Sequence, residues 1–415
     1  MGKTIIEKII QAHAHEPVEA GRIVWMGLDA RTARDFGGAN VVKNYKRHYG
    51  DDPVDDPAKT FFTFDLVTPA NNIPYAINQQ LCRDWARAQG VKVYDVDMGI
   101  GSHVAIERGL AWPGSTFVGT DSHLNILGAI GAFGQGMGDQ DIAFAFKAGK
   151  TWFEVPGTMK VTIVGDLPAS CTAKDLTLAC VGRLGASGAL GQAVEFYGPA
   201  VEALDLAGRI TLASMMTEMG GIIGLIPPSE AVLDYCRQRT GNGELTAIEA
   251  DADAAYTEEI EIDVSNLEPV VARPPKPDSV VPVREVAGTR VDSVFIGSCT
   301  NGRFEDFEAA ARVVAGKKLA EGMVASAVPA TREVYEQMLG SGVLQTLFDA
   351  GFIISNPGCG GCASGHIGMV GEGQVQVSTS NRNFAGKQGP GHNYLASPVV
   401  AAWAALRGEL VVPEA

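Results

Sequence analysis

The chain has 415 residues, enough for two to four domains, and 46% of them are hydrophobic, so it can bury a large core without disulfide staples. A formal net charge of -15 argues against nucleic acid or an anionic membrane as the main partner, and an anionic substrate would have to be met by local cations or helix N-termini. The seven cysteines follow no disulfide framework, no apolar run approaches the ~18 residues of a membrane span, and Met1-Gly2-Lys3-Thr4 runs straight into an amphipathic pattern. A reducing, cytoplasmic setting is expected.

Thr4–His13 has helical periodicity, with Ile5, Ile6, Ile9 and Ile10 on one face. Arg22–Leu28 reads as a strand, Asp35–Gly38 as a break, and Val41–Tyr49 as a helix. Thr60–Val67 reads as a buried strand, Ile73–Gln89 as a helix and Val91–Asp97 as the next strand. This alternation predicts α/β layers with mostly parallel sheets. Thr116–Val118 runs as a strand into Gly119-Thr120-Asp121-Ser122-His123. The glycines at 128, 131, 134, 136 and 138 miss the G-x-G-x-x-G spacing of a dinucleotide site, so they are expected to allow close backbone packing around Asp121-Ser122-His123.

Lys160–Val164 is a further strand candidate, and Ala173–Gly185 and Ala200–Glu218 are helical. Thr246–Leu267 is acidic and reads as solvated surface. Pro269–Pro282 is Pro-rich and reads as a linker. The expected division is a first α/β unit over 1–158, a second over 159–268, a linker over 269–285 and a third unit over 286–415, with no internal repeat.

Three cysteines lie in Gly-rich, strand-end loops: Cys299 in Gly297-Ser298-Cys299-Thr300-Asn301, and Cys359 and Cys362 in Asn356-Pro357-Gly358-Cys359-Gly360-Gly361-Cys362. Such loops bury little, which sets these three apart from Cys82, Cys171, Cys180 and Cys236, the expected core thiols. A thioredoxin-like redox pair would leave Cys299 unexplained. A Cys3His zinc site completed by His366 and an iron–sulfur cubane with one open iron both suit the donors, and spacing does not separate them.

Together with Ser378-Thr379-Ser380-Asn381-Arg382-Asn383-Phe384, these motifs resemble the aconitase superfamily over essentially the whole chain, in order. The chain is most similar to the 3-isopropylmalate dehydratase and homoaconitase large-subunit branch. The resemblance implies three α/β/α domains around a [4Fe-4S] cluster on Cys299, Cys359 and Cys362. It also implies reversible dehydration of a small 2-hydroxy dicarboxylic acid of the isopropylmalate, methylmalate or homocitrate kind. A separate small subunit, the swivelling domain absent from this chain, would supply the serine base.

By motif match, Asp121, His123, His103, Glu195 and Asp65 are the expected catalytic groups, and Arg382, Lys387, Ser122 and Arg34 the expected substrate contacts. Asn301 and Asn381 would order the cluster loops. His13, His15, His48 and His392 match nothing and are expected to be surface or structural. The pattern breaks in four places. Leu66 stands where the family has the histidine of an Asp-His pair, Lys387 where an arginine is usual, Arg34 where Gln or Asn is usual, and Leu124-Asn125 replaces a Thr-rich continuation. Leucine cannot donate a proton, so either the acid or the substrate has changed. A non-catalytic zinc or iron–sulfur protein on a dehydratase fold is the alternative of a different class.

Overall fold

The computed structural model describes residues 2–362 and 366–414. Its first helix, Ile5–His13, is opened by a capping box: Thr4 Oγ1 accepts from the Glu7 N–H, and the Glu7 carboxylate accepts from the Thr4 N–H at 2.9 Å. Ile5, Ile6, Ile9 and Ile10 are buried, as their spacing predicts.

Three sheets carry the chain, all or mostly parallel. The first has five strands in the order Lys92–Tyr94, Thr60–Thr63, Ala30–Arg34, Thr116–Gly119, Phe133–Gly136, all parallel. The second is parallel, in the order Ile223–Leu225, Ala193–Tyr197, Thr158–Val164, Glu258–Asp263. The third has seven strands, of which Ile353–Ile354, Val324–Val328, Ser293–Gly297, Val375–Ser378 and His392–Ala396 are mutually parallel neighbours. Central strands such as Ala30–Arg34, Thr116–Gly119 and Ser293–Gly297 are buried throughout, as helix-covered parallel strands must be. Strands Ile23–Gly27 and Lys150–Glu154 form a separate antiparallel pair. Among the described residues no helix is long and apolar enough to cross a membrane.

The sequence does not repeat, but the topology does. In chain order, the first sheet runs third, second, first, fourth, fifth. The five parallel strands of the third sheet have the same order, and the second sheet follows it for its four strands. Such a sheet has a switch point between its first and fourth strands, where the loops at the carboxyl ends diverge and leave a crevice. Arg34 and Thr120-Asp121 flank the switch point of the first sheet; Ser298-Cys299 and Thr379–Arg382 flank that of the third.

The chain departs from its sequence reading in several segments: strand Ala30–Arg34 is not legible in the sequence, the expected helix over 200–218 is split into Pro199–Glu202, Leu206–Ser214 and Met215–Met219, and three further segments change type. The expected break at Asp35–Gly38 is the first turn of helix Asp35–Tyr49. There a Cβ on Gly38 would lie 3.1 Å from Cys82 Sγ and 3.2 Å from the Phe62 ring, so the glycine lets the helix sit tightly on the sheet. The expected linker holds two strands, Val270–Ala272 and Val280–Pro282, paired as an antiparallel hairpin at the edge of the third sheet. The acidic stretch after Thr246 contains the edge strand Glu258–Asp263, of which only Ile262 is buried, so its outward acids mask its periodicity.

The Gly-rich segment after Asp121 packs as expected. A Cβ on Gly136 would lie 2.4 Å from the Asp121 carbonyl oxygen, and one on Gly128 would lie 2.0 Å from that of Gly224.

Candidate active site

A cavity of about 230 Å³ opens where the carboxyl ends of the first and third sheets meet. Its walls carry Cys299, Cys359 and Cys362, the polar groups Arg34, Asp121, Ser122, His123, Asn381, Arg382 and Lys387, and the apolar side chains Phe36 and Leu66.

Arg34 ends the first strand of the first sheet and is almost wholly buried. Its guanidinium reaches Asp65 Oδ1 through Nη2 at 2.7 Å, Asp121 Oδ1 through Nη1 at 3.1 Å, and Cys359 Sγ through Nη2 at 2.9 Å. Next to it, Asp35 accepts from the backbone N–H groups of Asp65, Leu66 and Val67 at 3.3, 3.0 and 2.9 Å. Those bonds fold the loop after Thr60–Thr63 and aim Asp65 inward. Asp65 Oδ2 accepts the Gly101 N–H at 2.9 Å, and the Asp65 carbonyl accepts the Cys359 N–H at 2.8 Å. One loop thus ties helix Gly101–Glu107 to the cysteine loop.

Burial pushes the Asp65 carboxyl up to about 7, against the pull of Arg34 and with the help of Asp35 and Asp121. Burial also works against ionisation of Asp121, but Arg34 and then His123 hold it below the usual carboxylate range. One guanidinium shared by two buried carboxyls favours a single ionised partner.

The cysteine loops need glycine. Gly360 has φ +61°, and a Cβ there would lie 2.5 Å from Phe295 Cζ; one on Gly358 would lie 2.7 Å from Thr68 Oγ1. Ser298, beside Cys299, has φ +76°, the one non-glycine at positive φ among the described residues, a conformation that costs about 1–3 kcal/mol. Burial raises the thiol pKa of both Cys299 and Cys359, and Arg34 opposes the rise at Cys359.

Three thiols on one cavity, one of them accepting a charge-assisted bond from Arg34, fit a thiolate-ligated centre. Among the described residues no three His, Cys, Asp or Glu converge on a single point as they would around one ion. His366, the fourth ligand of the zinc reading, bonds instead toward the Thr68 backbone, and it does not line the cavity.

His123 Nε2 lies 3.0 Å from Glu218 Oε1, and its Nδ1 lies 3.1 Å from Ser122 Oγ. With Nε2–H given to the carboxylate, Nδ1 accepts from the Ser122 hydroxyl in the neutral ring. Arg382 Nε donates to the same Glu218 Oε1 at 2.7 Å. Burial raises the Glu218 pKa, but His123 and Arg382 outweigh it and hold the carboxyl low. Lys387 lines the cavity and forms no salt bridge among the described residues.

Three expected catalytic groups do not line the cavity: Asp65, held behind Arg34, and also Glu195 and His103. Glu195 is wholly buried in strand Ala193–Tyr197 and does not line the cavity. It accepts from the Ile5 N–H at 2.6 Å and from the hydroxyls of Tyr197 and Tyr256, each at 2.7 Å, so its acceptor capacity secures the first helix. The glutamate next to the cavity is Glu218, which backs the lining residues His123 and Arg382 and which sequence reasoning missed. Its signal was a lone acid inside the apolar run Met215–Met219. His103 lies behind the wall: its Nε2–H donates to the Cys299 carbonyl at 2.9 Å, and its Nδ1 is buried without a partner among the described residues. Burial, then Arg303, pushes it down to about 3, so the ring is neutral.

The sequence profile of the aconitase family (aconitate hydratase) matches residues 7–408. The chain belongs to the aconitase family. It is 43% identical over 416 residues to the 3-isopropylmalate dehydratase large subunit 1 of Methanopyrus kandleri, covering 100% of this chain and 99% of that one. It is 42% identical over 417 residues to the homoaconitase large subunit of Thermus thermophilus, covering 100% and 98%. Its fold resembles the crystal structure of Thermococcus kodakaraensis aconitase X in the holo-form, at TM-score 0.54 and 13% identity over 91% of this chain and 89% of that one. This family kinship bears out the expected α/β aconitase-type architecture.

Proposed function

We propose that the chain is the large subunit of a [4Fe-4S]-dependent hydro-lyase that reversibly dehydrates a small 2-hydroxy dicarboxylic acid of the isopropylmalate, methylmalate or homocitrate kind. Family membership makes it an aconitase-type hydro-lyase, which leaves little room for a non-catalytic zinc protein. The observation that carries the finer reading is that Cys299, Cys359 and Cys362 share one cavity with Arg382, Lys387 and His123.

Cys299, Cys359 and Cys362 would hold the cluster, which supplies a Lewis-acidic iron to the substrate hydroxyl and a carboxylate when bound. Arg382 presents a planar fork to a carboxylate, oriented by Glu218 from behind. Lys387 offers a second cation without that fork. Dehydration takes a proton from carbon and sends the neighbouring hydroxyl out as water, so the site must both remove and return a proton. His123 is the imidazole on the wall, and Ser122 and Glu218 on its two nitrogens set its tautomer and can relay a proton. Leu66 and Phe36 face this polar wall and would pack against an alkyl substituent. The relatives are named as large subunits. We therefore assign the second half of the proton chemistry, and closure of the cavity, to a separate small subunit.

The test is anaerobic reconstitution with iron, sulfide and a small subunit of the isopropylmalate dehydratase kind, followed by assay of a panel of hydroxy diacids. A brown protein holding iron and acid-labile sulfide and turning over an alkyl-substituted malate is expected. A colourless protein with stoichiometric zinc and no turnover would remove the reading.

A further inference from the structure

Lys174 is wholly buried, yet among the described residues no carboxylate lies within salt-bridge distance of its ammonium. A buried charge without a contact counter-ion is costly unless hydrogen bonds compensate it. Its Nζ donates to the carbonyl oxygens of Thr379 at 2.9 Å and Ser380 at 3.0 Å. The lysine comes from helix Ala173–Leu184 of the second sheet's unit, and the two carbonyls belong to the loop after strand Val375–Ser378 of the third. The helix start is fixed on both sides. Thr172 and Asp175 form a capping box, and Asp175 Oδ1 accepts the Val270 N–H at 3.1 Å.

The receiving loop is also held by its own side chains. Thr379 exchanges bonds with Gly297 through its hydroxyl, at 2.9 and 3.0 Å, which joins it to the strand leading into Cys299. Ser380 Oγ donates to Gln388 at 2.8 Å. With both carbonyls turned toward Lys174, the peptide planes on either side of Ser380 are set. The next two side chains, Asn381 and Arg382, then face the cavity, with Asn381 Oδ1 3.5 Å from Cys299 Sγ and Arg382 on Glu218.

We propose that Lys174 is a positioning residue for the reaction: its ammonium grips the Thr379 and Ser380 carbonyls and so aims Arg382 at the substrate carboxylate and Asn381 at the cysteine loop. This rests on the hydro-lyase reading above. A displacement of about 1 Å in such a clamp costs up to ~100-fold in rate, so a remote grip of this kind has kinetic weight.

The test compares wild type with Lys174→Met, which keeps the length and loses the charge, and Lys174→Gln, which keeps a donor. Hydrogen exchange of the full chain is read over residues 378–388, and KM and kcat are read on 3-isopropylmalate with the reconstituted enzyme. Expected for Lys174→Met are faster exchange confined to that loop and a KM raised about tenfold or more with a smaller change in kcat. Lys174→Gln should fall between it and wild type. Unchanged exchange in the loop would overturn the proposal. So would loosened exchange with unchanged KM, since the lysine would then be structural only. Failure of both variants to fold cooperatively would overturn it in the same sense. A wild type inactive on every hydroxy diacid would sink the hydro-lyase reading instead, while exchange would still decide whether Lys174 holds the loop.

Discussion

Arg34 Nη2 lies 2.9 Å from Cys359 Sγ, across 325 positions of chain. The same guanidinium holds Asp65 and Asp121, so one arginine joins the first sheet's two carboxyl groups to the third sheet's cysteine loop. Arg34→Met would leave both carboxyls buried without the guanidinium that bonds them. Loss of one partner of a buried ion pair costs about 3–5 kcal/mol, and a loss of that order is expected in urea denaturation of the cluster-free chain. A loss below about 1 kcal/mol, the range of surface pairs, would show that Arg34 is not the hub.

The cysteines divide sharply. Cys299→Ser, Cys359→Ser and Cys362→Ser are each expected to lose iron, acid-labile sulfide and activity. Cys82→Ala, Cys171→Ala, Cys180→Ala and Cys236→Ala should keep all three. Like Cys299 and Cys359, these four are buried thiols raised by desolvation, but none of them lines the cavity. Iron analysis after reconstitution is the measurement, and iron loss in any of the second group would break the assignment.

Leu66 is 2% exposed and packs in the apolar cluster beneath the cavity while forming part of its wall. We expect Leu66→His to change the preference among hydroxy diacids, away from alkyl-substituted ones, and to add little rate. If the chain instead lacks its acid, the variant would raise dehydration of an isopropylmalate-type substrate by about the 10²–10⁴-fold credited to a general acid. Wild type inactive beside an active variant would decide for the missing acid.

His13 and Asp29 offer a pH test away from the site. Their side chains meet at 2.9 Å and are half-buried. Desolvation works against ionisation of each. Asp29 and the Ile9 carbonyl nevertheless raise the histidine above its ordinary 6.5, and His13 and the Thr116 N–H hold the aspartate below its ordinary 3.8. The histidine's contribution is therefore full below 6.5 and lost as pH rises through its raised folded value. The aspartate's is present above 3.8 and lost as pH falls through its lowered folded value. Denaturation midpoints of wild type and His13→Gln should differ most between those limits and converge outside them. A pH-independent difference would refute the pair.

By itself the sequence determined the parallel α/β layering, the first helix and the family, and its Gly-rich loops singled out Cys299, Cys359 and Cys362. All of these rest on local signals: periodicity within an element, turn chemistry at its ends, and short motifs. It misled where residues of one local type had non-local partners. Gly37-Gly38 reads as a break, but the glycines serve helix-to-sheet contact; Val270–Ala272 reads as linker until it meets Ala396.

Only the tertiary structure chose Glu218 over Glu195, because the choice depends on His123 and on Arg382, 164 positions away, rather than on anything near either glutamate. It alone placed His103 behind the wall and Lys174 under the Arg382 loop. It alone showed three unlike sequences winding into the same strand order, so that two switch points face each other over one cavity. Strand order is set by which crossovers pack together, and a single sequence carries no local signal of that packing.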